Sequence, residues 1–251
     1  MVNFQLCLSL SEDEFLEGLK NDKFKDYIAE EKYDGCRCIA RADRGNVILM
    51  GRHGILDYPE IKTHLSNKFK YQQVVLDGEI VCGNSFNDLQ NCKNNGLKPE
   101  FIVFDVLFIN YADVRHLSLR ERLGILNALR IDKDLKITEY VEDLITLYKK
   151  AKSEGKEGIV LKPLNSGYSG ERRDWIKIKY FKNAELKVIK YEVNNKGIRA
   201  EDEQGNAVQI ASDVEKVRKE IDEKGSCNIL IQYLEQTKDK RYRFISFRGI
   251  K

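Results

Sequence analysis

From Ser11 to residue 29 a serine followed by acidic residues leads into apolar positions at Phe15, Leu16 and Leu19, the spacing of an amphipathic helix with a capped start. From Tyr27 the period changes. Runs at 36–41, 46–50, 73–82 and 100–109, separated by polar loops and turns such as Arg44-Gly45-Asn46, predict short strands in an antiparallel arrangement with inserted helices. Helical spacing returns at 119–129 and at 141–154, the latter stopping at Gly155, and 156–163 is strand-like again. Beyond Tyr180 the pattern predicts strands at 186–191, 197–201 and 207–211, a helix over 213–224 and further strands within 228–249.

A chain of 251 residues has room for two modest domains, each with an adequate core. The pattern divides it into 1–183 and 184–251. The second part, strand-rich with one helix, has the length and make-up of an OB-fold barrel or of a helix-backed sheet. The net charge of +3, with 33% charged residues, excludes a polybasic tail protein, so any nucleic-acid contact must come from local basic faces. Two are visible: the segment from Arg172 to Lys182, and the segment from Lys238 to Lys251, where Lys238, Lys240, Arg241, Arg243, Arg248 and Lys251 face one acid, Asp239.

Six cysteines without a secretory segment predict reduced thiols in a cytoplasmic setting, serving as packing residues with no disulfide. Cys36-x-Cys38 lacks the spacing and partners of a zinc site. No apolar run approaches bilayer length, so a soluble protein with no membrane association is expected.

The candidate chemistry begins at Glu31-Lys32-Tyr33-Asp34-Gly35-Cys36-Arg37. An isolated Lys-x-Asp-Gly is an ordinary hairpin turn. Four more charged sites follow on apolar stretches: Arg52 in Gly51-Arg52-His53-Gly54, Glu79 in Leu76-Asp77-Gly78-Glu79-Ile80, Glu157 and Lys162 in the run 157–162, and Lys177 with Lys179 in Trp175-Ile176-Lys177-Ile178-Lys179. Phe104-Asp105 lies in a further apolar strand. Lys177 and Lys179 alternate with Ile176 and Ile178, so both lysines point to one strand face and the isoleucines to the core.

With these residues, in this order, nearly the whole chain resembles the covalent nucleotidyltransferases and, within them, the ATP-dependent DNA ligases, whose first motif reads Lys-x-Asp-Gly-x-Arg. The resemblance implies an α+β protein: an antiparallel-sheet nucleotidyltransferase (adenylation) domain over 1–183, then an OB-fold β-barrel domain over 184–251. It implies that Lys32 is the nucleophile and that Glu31, Arg37, Arg52, Glu79, Phe104, Lys177 and Lys179 bind the nucleotide, with Phe104 on the adenine and Arg52 on the ribose or a nick 5′-phosphate. Mg²⁺, or Mn²⁺, would be held by Glu157 and Glu79. Lys162, Arg172 or Arg173, Arg248 and Lys251 are candidate phosphate or DNA contacts. Free lysine titrates near pKa ~10.4, so attack on the α-phosphorus of ATP requires its proton to be removed, and converging cations at Arg37, Lys162, Lys177 and Lys179 would favour that.

The implied substrate is nicked duplex DNA, handled by a monomer without an evident protein partner. The match weakens at Phe247-Arg248-Gly249-Ile250-Lys251, where Arg248 or Lys251 stands in for the arginine of the last ligase motif and the Asp-Lys pair that follows it is missing. Only one helix precedes the nucleophile and no loop is long enough to encircle DNA, so extra DNA-binding domains are not expected. Two alternatives use the same residues: an RNA ligase or mRNA-capping guanylyltransferase, and a non-catalytic OB-fold nucleic-acid-binding protein. Arg37 after Asp-Gly, the 157–162 run and Phe181-Lys182-Asn183-Ala184-Glu185 favour the DNA ligase reading.

Overall fold

The computed structural model describes residues 3–83, 85–92, 94–129, 135–170, 174–237 and 240–251. The chain forms two compact units, 1–179 and 180–251, dividing four residues ahead of the boundary expected from the sequence. The first unit begins with β1 (Cys7–Leu10), α1 (Glu12–Lys20), β2 (Tyr27–Glu31), β3 (Cys36–Asp43), β4 (Asn46–Gly51), β5 (Gly54–Leu56), α2 (Pro59–Lys68) and β6 (Gln73–Val81). It continues with α3 (Phe86–Gln90), β7 (Glu100–Ile109), β8 (Ala112–Asp113), α4 (Leu119–Ala128), β9 (Leu135–Ile137), β10 (Tyr140–Val141), α5 (Leu144–Ser153), β11 (Gly158–Pro163) and β12 (Trp175–Lys179).

These strands make two sheets, one in the order β1-β12-β11-β2-β10 and one in the order β5-β4-β3-β6-β7-β8, with β9 also paired to β7. Pairing is antiparallel as expected, except that β1 runs parallel to β12 and β9 parallel to β7. On the first sheet Ile159, Leu161, Ile176 and Ile178 are buried on the side against which α1 and α5 pack. On the second, Ala40, Leu49 and Leu76 join Ile61 and Leu65 of α2 and Leu119, Leu123 and Leu126 of α4 in the largest core. A smaller cluster of Ile39, Val75, Phe104, Leu107, Tyr168 and Trp175 takes residues from both sheets. Several of its members share a strand face with candidate site residues, Ile39 two residues from Arg37, Val75 four from Glu79 and Trp175 two from Lys177, so the facing sides of the two sheets carry apolar and polar side chains together.

The first helix is shorter than its pattern suggested. Ser11 caps it in a reciprocal box with Glu14, but it stops at Lys20, and Asp22 turns the chain with φ 53°. Gly18 ends up against Phe24, where a Cβ would lie 2.5 Å from the ring, and the chain then re-enters as β2. The cysteine expectation is corrected as well. Cys82 and Cys92 are joined in a disulfide, with Cα atoms 6.0 Å apart, because α3 folds the intervening loop back on itself. Cys7, Cys36, Cys38 and Cys227 are free.

The second unit contains β13 (Lys182–Val188), β14 (Lys190–Asn194), β15 (Gly197–Glu201), β16 (Ala207–Ile210), α6 (Val214–Lys224), β17 (Cys227–Tyr233), β18 (Glu235–Gln236), β19 (Tyr242–Arg243) and β20 (Ser246–Ile250). The single strand expected over 186–191 is two, broken at Ile189, whose N–H donates to Glu201. Three small antiparallel sheets, β13-β17-β20, β14-β15-β16 and β18-β19, share one core built from Val188, Ile198, Ile210, Val217, Ile229 and their neighbours, with α6 packed on it through Val217 and Ile221. Among the described residues no helix is long and apolar enough to cross a membrane.

Candidate active site

Lys32 leaves the end of β2 and is fixed there by its backbone, whose N–H donates to the Gly158 carbonyl at 2.9 Å. Register then carries the line onward: Glu31 pairs with Ile159, and Gly158 pairs with Lys179, so Lys32, Gly158 and Lys179 lie in a row across three strands. The row depends on glycine at its centre, since a Cβ on Gly158 would sit 2.0 Å from the Ile178 carbonyl oxygen. Gly35 is equally constrained in the turn after Lys32, where a Cβ would be 2.2 Å from the Ile80 carbonyl oxygen.

Glu157 joins this row from the residue before β11. Its Oε2 accepts from Lys32 Nζ at 2.6 Å and its Oε1 contacts Lys179 Nζ at 2.7 Å. The carboxylate is nearly buried, with 6% of its side chain exposed, while Lys32 retains 21%. A charged acceptor in so dry a setting forms strong hydrogen bonds. Lys177 lies two residues from Lys179 on the same strand face, and its pKa is lowered by burial and by the cations Lys179, Lys32 and Arg52, with Cys7 opposing. Burial pushes the Glu79 carboxyl up to about 7, offset by Arg37, Lys32 and Arg52 and reinforced by Glu157. Thus Lys32, Arg52, Glu79, Glu157, Lys177 and Lys179 share one electrostatic site. Arg52 itself is exposed in the β4–β5 turn.

Three expected site residues lie deeper. Arg37 is bidentate on Asp77, with Nε to Oδ1 at 2.7 Å and Nη2 to Oδ2 at 2.6 Å. Asp77 also accepts from the Tyr168 hydroxyl at 2.7 Å, and that hydroxyl accepts from the Gln5 N–H. Phe104 is buried, edge-on to Trp175 at 5.8 Å, with the Arg37 guanidinium 4.6 Å from its ring centre. Lys162 is buried and paired with Glu30 at 2.5 Å, its ammonium 4.0 Å from the Trp175 ring centre and 4.3 Å from that of Phe104. Burial raises the Glu30 carboxyl even against the Lys162 charge.

Other candidates fall elsewhere. Glu31 alternates away from Lys32, pairs with Lys156 at 3.1 Å and helps line a separate 280 Å³ pocket with Tyr33, Ile137 and Leu147. Arg248 contacts Gln232 and Lys251 pairs with Glu185, all within the second unit. Arg172 and Arg173 lie outside the described residues, as do Lys238 and Asp239 of the second basic segment.

The sequence reading missed Asp77, Tyr168, Glu30 and Trp175. Asp77 carried a signal: it is two residues from Glu79, hence on the same strand face, and Glu79 pairs with Arg37, so Asp77 is the diagonal neighbour of that arginine. Trp175, the only tryptophan, stands two residues before Lys177 on the same face. Asp34 fixes the turn after Lys32, accepting from the Phe86 N–H at 2.9 Å inside the disulfide-closed loop.

A lysine at the end of β2, gripped by a carboxylate and joined through it to β12, two strands away, fits the resemblance to the covalent nucleotidyltransferases. The model of the ATP dependent DNA ligase domain matches residues 7–179. The chain belongs to the ATP-dependent DNA ligase family. It is 30% identical over 177 residues to DNA ligase 3 of Dictyostelium discoideum, a match covering 61% of this chain and 15% of that protein. It is 31% identical over 181 residues to the multifunctional non-homologous end joining protein LigD of Pseudomonas aeruginosa, covering 66% of this chain and 21% of that one. The chain therefore spans a minor part of these relatives.

Among solved structures, one from a structure-function analysis of Lig E DNA ligases, describing DNA binding with a minimal scaffold, aligns with TM-score 0.70 at 21% identity over 100% of both chains. Mycobacterial DNA ligase D complexed with ATP and MES aligns with TM-score 0.61 at 22% identity, over 90% of this chain and 89% of that one. These two likenesses show the fold.

Proposed function

We propose that this chain seals nicks in duplex DNA with ATP, passing AMP through Lys32. The observation that carries the reading is the Glu157 carboxylate held between Lys32 and Lys179, within a chain of the ligase family. Lys32 gives up a proton to Glu157 Oε2, the acceptor 2.6 Å away, and Nζ then attacks the α-phosphorus. The N–P bond forms as the P–O bond to pyrophosphate breaks. Lys177, Lys179 and Arg52 stabilise the charge that gathers on the phosphate oxygens. AMP next passes to the 5′-phosphate of a nick, and the 3′-hydroxyl expels it.

Among the described residues no group of three or more His, Cys, Asp or Glu is placed to hold a metal. The two carboxylates Glu79 and Glu157, near enough that one raises the pKa of the other, nonetheless fit Mg²⁺ or Mn²⁺, which use one or two carboxylates together with substrate phosphates. When bound, the ion supplies neutralisation of triphosphate charge. Phe104 would face the adenine, with the Lys162 ammonium 4.3 Å and the Arg37 guanidinium 4.6 Å from its ring centre.

The second unit is read as an OB-fold domain, with α6 placed between β16 and β17 and its strands around a common core. Arg248 and Lys251 are its candidate contacts to phosphate. The enzyme is read as a monomer that meets DNA through phosphates, so affinity falls with salt and shows little sequence preference. The test compares sealing of nicked duplex DNA, nicked RNA and a capped-RNA precursor, with ATP or GTP. Sealing of nicked DNA with ATP, absent in Lys32→Ala, is the expected result; product from RNA or GTP alone would replace this reading.

A further inference from the structure

At the end of the second sheet remote from Glu79, three turns are tied into one surface. The β3–β4 turn is joined to the α2–β6 loop by the Arg44 N–H to the Gln72 carbonyl, and the β7–β8 turn is joined to β6 by the Asn110 N–H to the Gln73 carbonyl at 2.7 Å and the Tyr111 N–H to Gln73 Oε1 at 2.8 Å. Arg44, Asn110 and Tyr111 all hold positive φ, at 49°, 47° and 68°. Arg44 with Gly45, and Asn110 with Tyr111, are the central pairs of two-residue hairpin turns, which require positive φ, and these turns place their side chains together at one end of the sheet.

What they present is cationic and aromatic. Tyr71 is 85% exposed and Tyr111 is 58% exposed. Lys70 lies 5.5 Å from the Tyr71 ring centre, and Arg44 5.9 Å from that of Tyr111. Among the described residues neither cation makes a close ion pair, although Arg44 is near enough to Asp43 to help lower that carboxyl. The acid in the patch is Asp43, which is already occupied by Arg41 at 3.2 Å and by the Tyr111 hydroxyl at 2.8 Å. Register fixes the distance to the catalytic cleft: Arg37 pairs with Glu79 and Asp43 with Gln73, six positions along the same two strands, which is about 20 Å.

We propose that Arg44, Lys70, Tyr71 and Tyr111 form a second contact for the DNA backbone, remote from the nick. The inference rests on the nick-sealing reading above. Exposed ring faces beside unpaired cations match a sugar–phosphate strand, which offers anionic oxygens and sugar edges without sequence information. A duplex held at Lys32 covers 20 Å in about six base pairs, so one substrate reaches both places.

The experiment measures binding of the full chain to duplexes with a 3′-dideoxy nick, by fluorescence anisotropy over a salt series. Arms on each side of the nick are about 5 or about 20 base pairs long, closed by hairpins so that the short form stays paired. The variants are Arg44→Asn with Lys70→Gln, asparagine being tolerant of the left-handed backbone, and Tyr71→Ser alone. For the double variant the long-armed duplex is expected to bind about 10-fold or more weakly, with the salt slope reduced by about 2, while short-arm binding and AMP labelling of Lys32 are unchanged. Tyr71→Ser is expected to weaken long-arm binding alone. Long-arm binding equal to the unmodified chain in both variants overturns the proposal and leaves the ligase reading standing. If the unmodified chain binds neither duplex, the ligase reading fails first and takes this proposal with it.

Discussion

Arg37 and Asp77 make a buried two-pronged ion pair, at 2.7 and 2.6 Å. The arginine of the first motif is thus committed to a carboxylate two residues from Glu79, under the ring of Phe104, where it shapes the floor of the cleft. Removing one partner leaves the other charge buried and unpaired, so Asp77→Ala is expected to lower stability by roughly 3–5 kcal/mol in urea unfolding. Arg37→Lys, which keeps the charge but not the fork, is expected to lose part of that amount. A change below about 1 kcal/mol in Asp77→Ala would show that the pair does not brace the fold.

Glu157→Gln removes the proton acceptor beside Lys32 while preserving shape. Adenylation should slow by about 10²–10⁴-fold, the usual contribution of a positioned base. Single-turnover labelling with ATP measures it, and an unchanged rate would assign the proton to another group.

Lys177 carries the signature of a functional cation held at a cost. Its pKa is lowered, so between that value and the ordinary lysine value of 10.5 the unfolded chain binds more protons than the folded one, and stability rises with pH through that window. Below the window the partly buried ammonium, beside other cations, is a standing penalty. Lys177→Gln should therefore melt at a higher temperature at neutral pH, with the advantage shrinking as pH rises toward 10.5, while binding ATP more weakly. A melting profile parallel to that of the unmodified chain at every pH would remove this account.

The Cys82–Cys92 disulfide closes a loop with a sequence separation of 10, so reduction is expected to cost roughly 2–3 kcal/mol by loop entropy. Because the same loop supplies the Phe86 N–H to Asp34, adenylation of the reduced protein should slow as well. Melting and labelling with and without dithiothreitol, against a Cys82→Ser/Cys92→Ser chain that should ignore the reductant, provide the check.

Much of the site was legible because strand alternation is a strict rule: Lys177 and Lys179 point one way and Ile176 and Ile178 are buried the other way, as their spacing requires. Depth was not legible. Alternation assigns Lys162 to a face but not to a position on it, and only the packing of Trp175 and Phe104 shows that its ammonium is enclosed with Glu30. Glu31 has the opposite lesson, since its neighbour Lys32 belongs to the cleft and it, one residue away, does not. β1 escaped notice because its partner is β12, far along the chain, and no local pattern announces a parallel pair. The disulfide escaped for a related reason: spacing in sequence does not state that two Cα atoms lie 6.0 Å apart. The first helix was overextended because nothing local signals that Asp22 takes a left-handed turn there.

The central claim is that Lys32 carries AMP. Incubation of the protein, cleared of any bound AMP, with α-labelled ATP and Mg²⁺, followed by peptide mapping, tests it most directly. The account predicts one adenylated peptide, modified at Lys32, absent in Lys32→Ala and discharged by nicked DNA. A folded protein that takes up no label, or takes it up on another lysine, would contradict it.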